Sequence, residues 1–135
     1  MLDKATALRL AKHWESSWNA QDADLIMEPM GEKVVFSSPF VSKLLRDPNK
    51  WTVEGFDAVR SYMAESIKRV PGITYRLDTT YVGADTAVIA YTFRLPDGTE
   101  KTGADFMRVD SEGKVVDWRS QYPFVADEVD PFIKD

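Results

Sequence analysis

The apolar residues of this chain change period at Pro71-Gly72, and that change restricts the fold more than any other feature. Before it they recur every three or four residues, as on a helix; after it they alternate, as on a strand. Ile73 to Val82, Ala87 to Leu95, Thr99 to Val109 and Val115 to Tyr122 read as four strands. Turn residues at Gly83-Ala84-Asp85, Pro96-Asp97-Gly98 and Asp110-Ser111-Glu112-Gly113 separate them. Connections of three to five residues have no room for a crossover helix, so these strands run as an antiparallel meander.

The first half carries helices. Ala7, Leu10, Ala11, Trp14 and Trp18 share one stripe between Asp3 and Asn19, with Asp3 as the N-cap. Asp22 opens a short second helix through Leu25 and Ile26, which Pro29 and Gly31 end. Val34 to Ser38 is a β-branched and aromatic run halted by Pro39, hence a strand. The stretch from Val41 to Thr52 has turn residues and no period, and is expected to be a surface loop that closes over the mouth of a pocket. From Glu54 to Arg69, Phe56, Val59, Met63 and Ile67 mark a third helix with its basic residues in the last turn. The expectation is one α+β domain over residues 1–135, three helices on a strongly curved antiparallel sheet. Its acidic end, 124–135, is read as a tail.

Composition excludes several functions. The net charge is −5 and the basic residues are scattered, so no footprint for nucleic acid exists. There is no cysteine, which removes disulfides and thiolate metal sites, and no metal or other cofactor is expected. The opening MLDKATALRLAKHW interleaves charges with its apolar residues, which fits neither a signal peptide nor a membrane span; a cytoplasmic location is the expectation.

Four segments carry a resemblance: Trp14 to Asp22, Val34 to Pro39, Val53 to Arg60, and Asp105 to Val116. Together with the element order they resemble the nuclear transport factor 2-like, or SnoaL-like, superfamily, which includes ketosteroid isomerase. The resemblance implies a cone-shaped domain with an internal pocket; the family hosts both enzymes and binders, so it implies no single chemistry. Residue by residue, Asp105 matches the oxyanion-hole acid of ketosteroid isomerases, while Trp14 stands at the position of its tyrosine partner and Ser38 at that of the proton-shuttling acid. The usual isomerase mechanism therefore lacks its base. Epoxide-hydrolase-like relatives need an Arg and a second acid where this chain has Gly103 and Ser120.

If Asp105 faces the pocket as the resemblance implies, alternation turns Lys101, Gly103 and Met107 the same way, and alignment adds Trp118, Ser120 and Tyr122. A two-residue turn at Asp97-Gly98 would pair Ala90 with Asp105, placing Val88, Ala90 and Thr92 on the opposite wall. Ile89, Tyr91, Phe93, Phe106 and Arg108 would then form a convex apolar face, for which a homodimer is the expected cover.

Asp105 has two readings: a desolvated acid that meets a ligand oxygen, or a carboxyl tied to an indole N–H or hydroxyl that holds the cone together. Trp14, Trp18 and Trp118 are either a platform for a flat ligand or core filling, as is the loop residue Trp51. Tyr62 and Ser38 are candidate ligand contacts; His13, the only histidine, lies to the side of the Trp14 stripe. The functional expectation is a pocket for a small apolar or aromatic molecule. Either proton transfer on a carbonyl compound is performed there, or the domain binds without catalysis, or it serves as a dimeric interaction module.

Overall fold

The computed structural model describes residues 2–123, so the expected tail at 124–135 lies outside the described residues. The chain runs α1 (Lys4–Ala20), α2 (Ala23–Met27), β1 (Met30–Ser37), α3 (Val41–Leu44), β2 (Thr52–Glu54), α4 (Phe56–Arg69), β3 (Thr74–Val82), β4 (Thr86–Arg94), β5 (Glu100–Val109) and β6 (Val115–Gln121). The six strands form one curved, unclosed sheet in the order β2-β1-β6-β5-β4-β3. The meander β3 to β6 is antiparallel as expected, and β1 joins it in parallel alongside β6.

The caps explain where the helices begin. Asp3 accepts from the Thr6 amide at 2.7 Å, and Asp22 accepts from the amides of Asp24 and Leu25, so two sets of orphan N–H groups are satisfied by short carboxylates. Asn19, in the last turn of α1, donates to the Tyr75 carbonyl and accepts from the Tyr75 amide, both at 2.8 Å. This pair fastens α1 to the outer strand β3. Register shifts in the β3–β4, β5–β6 and β1–β6 pairings bend the sheet, as bulges do, and the helices pack on one face of it.

One element, α3, sits inside the stretch from Val41 to Thr52 expected to be an irregular loop, and a second, β2, begins on its last residue. α3 is a single turn and β2 spans three residues paired with β1, both too short to show a period. The helix count among the described residues is therefore four rather than three. α4 starts at Phe56 because Gly55, at φ +92°, makes the corner after β2 and donates its amide to the Val34 carbonyl.

The larger correction concerns the β4–β5 hairpin. Gly98 donates to the Leu95 carbonyl and Leu95 to the Thr99 carbonyl, so the loop has three residues, a type I turn with Pro96 second and Gly98 at φ +90° closing it. That extra residue shifts the register by one: Ile89, not Ala90, pairs with Asp105, and Tyr91 pairs with Gly103. A one-residue shift exchanges the faces of a strand. Ile89, Tyr91 and Phe93 are consequently core residues at 0–3% exposure, while Val88, Ala90 and Thr92 lie half-buried on the other face. Of the expected convex patch only Phe106 and Arg108 remain outside, and Phe106 carries the Arg119 guanidinium 5.4 Å above its ring.

Candidate functional site

Asp105 lies in the middle of β5, between Ile89 of β4 and Ser120 of β6, and is 1% exposed. Its Oδ2 accepts from the indole N–H groups of Trp14 and Trp118, each at 2.9 Å. Its Oδ1 accepts from the hydroxyls of Ser120 at 2.9 Å and Tyr91 at 3.1 Å. Four hydrogen bonds from one helix and two neighbouring strands therefore converge on one carboxyl of β5. Burial pushes its pKa above the ordinary carboxylate value, and the bonds from Trp118, Ser120, Trp14 and Tyr91 pull it back. An indole can only donate, so both directions at Oδ2 are taken in either protonation state. A proton on Oδ1 would point at Ser120 or Tyr91.

The Tyr91 hydroxyl is linked in turn to Tyr122. Burial, and then the charge of Asp105, raise the pKa of both phenols, so both stay protonated at neutral pH. Tyr91 reaches Asp105 because Gly103 faces it across the strands. A Cβ at position 103 would lie 2.7 Å from the Tyr91 hydroxyl oxygen and 2.8 Å from the carbon that bears it. The ring occupies the space that a side chain would take.

Around this centre lies a cavity of about 80 Å³ that opens to solvent. Trp14, Trp18, Tyr75 and Tyr91 make one aromatic wall, with ring centroids 4.3–6.3 Å apart. Phe36 of β1 and Tyr62 of α4, 5.3 Å apart, form another. The Trp18 Nε1–H is buried without an acceptor among the described residues.

Of the expected site residues, Asp105, Trp14, Trp18, Ser38, Tyr62, Ser120 and Tyr122 line the cavity. Trp118 is fully buried and reaches Asp105 without reaching the lining. Val88 and Ala90 are not there, because the register places them on the opposite face of the sheet. His13 lies aside, its Nε2 3.7 Å from Glu28 on the surface, and Trp51 is 57% exposed. Sequence reasoning missed Phe36, Tyr75 and Tyr91. Phe36 shares a side with Val34 and Ser38 by alternation, a signal that was legible, whereas Tyr91 depended on the length of the hairpin loop. Among the described residues, no three His, Cys, Asp or Glu side chains gather where a metal ion would be held, and no helix is long and apolar enough to cross a membrane.

A curved sheet with helices packed on one side is the cystatin-like, or ketosteroid isomerase-like, α+β fold. Within it, the chain belongs to the SnoaL-like domain family, which it matches over residues 11–118. No curated protein matches it. Among solved structures, a SnoaL-like protein of unknown function from Burkholderia thailandensis superposes with a TM-score of 0.78 at 22% identity, covering 91% of this chain and 98% of the other. A candidate isomerase of the SnoaL-like family from Agrobacterium tumefaciens gives 0.72 at 16% identity, with coverages of 89% and 99%. A protein with the ketosteroid isomerase-like fold from Catenulispora acidiphila, in complex with trimethylamine, gives 0.68 at 11% identity and 84% coverage of both chains.

Proposed function

We propose that this protein binds a small, predominantly apolar organic molecule in the aromatic cavity and that Asp105 is the anchor of the cavity rather than its acid–base catalyst. The observation that carries this reading is the engagement of both Asp105 oxygens by four protein donors within 3.1 Å. A general acid or base must reach the proton it moves, and here each oxygen is turned to the walls. The lining offers ring faces and aliphatic carbon, the surface that small-molecule pockets use for affinity. Fold relatives include one in complex with trimethylamine, a small organic molecule.

The test is binding of the neutral fluorescent probe N-phenyl-1-naphthylamine to the wild type and to Ile67→Trp, which fills the cavity from α4. Saturable binding by the wild type and its loss in a variant that still unfolds cooperatively are expected. Equal binding by both proteins would place the probe elsewhere and remove the reading.

One feature favours a second reading, proton transfer on a carbonyl compound: the hydroxyl chain from Tyr122 through Tyr91 to Asp105 provides a route between the cavity and the buried acid. A relative of the same family is a candidate isomerase. For a substrate that the wild type turns over, unchanged kcat in Asp105→Asn would eliminate this reading.

A further inference from the structure

The lining also bears on the charge of the ligand. Among the described residues that line the cavity, Asp105 is the only Asp, Glu, Lys, Arg or His, and its four partners are all neutral. A buried carboxylate costs least when a cation balances it, and nothing in the lining does so. What surrounds it is aromatic: the rings of Trp14, Trp18, Tyr75 and Tyr91 all line the cavity, inclined to one another by 35–86°. Ring faces carry the negative end of the aromatic quadrupole and attract cations without hydrogen bonding.

We propose that the cavity takes a small alkylated ammonium cation, held against the ring faces of the aromatic wall and balanced by the carboxylate of Asp105. This rests on the ligand-binding reading above. Alkylation follows from the hydrogen-bond inventory. Both oxygens of Asp105 already accept twice, so a primary ammonium would have to displace an indole or a hydroxyl to be satisfied, whereas a fully alkylated nitrogen has no N–H to satisfy. An anion would meet a like charge. The titratable groups that face Asp105 are Tyr75 of β3, Tyr91 of β4 and Tyr122 after β6, and burial raises the pKa of all three. They remain neutral, which leaves Asp105 as the group whose ionisation the cation would favour. Affinity for the cation therefore rises with pH until Asp105 is fully ionised and is level above that.

The experiment titrates the wild-type protein with choline and with its uncharged isostere 3,3-dimethylbutan-1-ol, followed by tryptophan fluorescence and calorimetry at several pH values. Choline is expected to bind about tenfold tighter or better, with an affinity that rises with pH while that of the alcohol stays flat. The ratio of the two falls toward one in Asp105→Asn. Should that variant fail to fold, Trp18→Leu keeps apolar bulk and removes a ring face, and it is expected to weaken choline more than the alcohol. Equal affinities for the pair in the wild type, or choline binding that is flat with pH, overturn the proposal. If N-phenyl-1-naphthylamine binds and choline does not, the ammonium assignment alone falls. If neither binds, the ligand-binding reading falls with it.

Discussion

The cavity has two ends that treat hydrogen bonding in opposite ways. At the Asp105 end, four donors from α1, β4 and β6 are turned onto a single carboxyl and hold three strands and a helix together. Along the aromatic wall the rings of Trp14, Trp18, Tyr75 and Tyr91 pack on one another, and Trp18 keeps a buried N–H with no acceptor among the described residues. Polarity at the first end builds the pocket. On the proposed reading the second end recognises a guest by shape, ring faces and charge, so the two ends should respond to mutation differently, in stability for one and in affinity for the other.

The largest effect expected is at the polar end. Asp105→Leu leaves two indole N–H groups and two hydroxyls without their acceptor, and each buried donor left unsatisfied costs about 1–3 kcal/mol. Urea unfolding measures it, and a loss under about 1 kcal/mol would mean that the network does not hold the walls together.

Much of this end was legible in the sequence, and the reason is physical. Asp105 to Val116 carries the family pattern, and alternation along β5 and β6 then turns Gly103, Met107, Trp118 and Ser120 to the same side as Asp105. The β4 wall was not legible, because its facing depends on whether the loop has two residues or three. Pro96-Asp97-Gly98 accommodates either, and the structure uses three. Tyr91 therefore turned out to be a partner of Asp105 rather than part of an outer patch. α3 and β2 escaped for another reason: four and three residues are shorter than the pattern that would reveal them.

The next largest effect concerns the join between the two ends. Gly103→Val places carbon within 2.9 Å of three atoms of the Tyr91 ring and hydroxyl. Tyr91 is 3% exposed and has little room to yield, so a loss of about 1–3 kcal/mol is expected. Combined with Tyr91→Leu, the loss should be less than the two single losses together, since the clash vanishes with the ring. Additive losses in a double-mutant cycle would show that Gly103 serves some other purpose.

A smaller signal separates Asp105 from the surface acids by its sign. Burial raises the folded pKa of Asp105, so the folded chain holds that proton more tightly than the unfolded chain does. Its contribution is fully present below the ordinary value of 3.8 and is lost as the pH rises through the folded value. Asp78 is lowered, first by the Thr92 hydroxyl at 2.6 Å and also by Arg76, and contributes the other way: its stabilisation is present above 3.8 and is lost as the pH falls. Thermal melts from pH 3 to 8 should show the wild type losing stability relative to Asp105→Asn as pH rises. The opposite slope would contradict the desolvation of Asp105.

The smallest effect is expected on the other face of the sheet. Arg119, paired with Asp117 and lying over Phe106, is more than half exposed, and Arg119→Ala should change stability by about 0.5 kcal/mol or less. A loss above about 2 kcal/mol would show that this face carries more of the fold than the cavity account assigns to it.

The most direct test of that account measures both responses in one variant. Asp105→Asn is compared with the wild type by urea unfolding and by titration with N-phenyl-1-naphthylamine. A lower unfolding midpoint, with a Kd for the neutral probe within about twofold of wild type, is the result predicted for a carboxyl that anchors the walls. Unchanged stability together with a Kd more than about tenfold weaker would contradict it and make Asp105 a ligand contact after all.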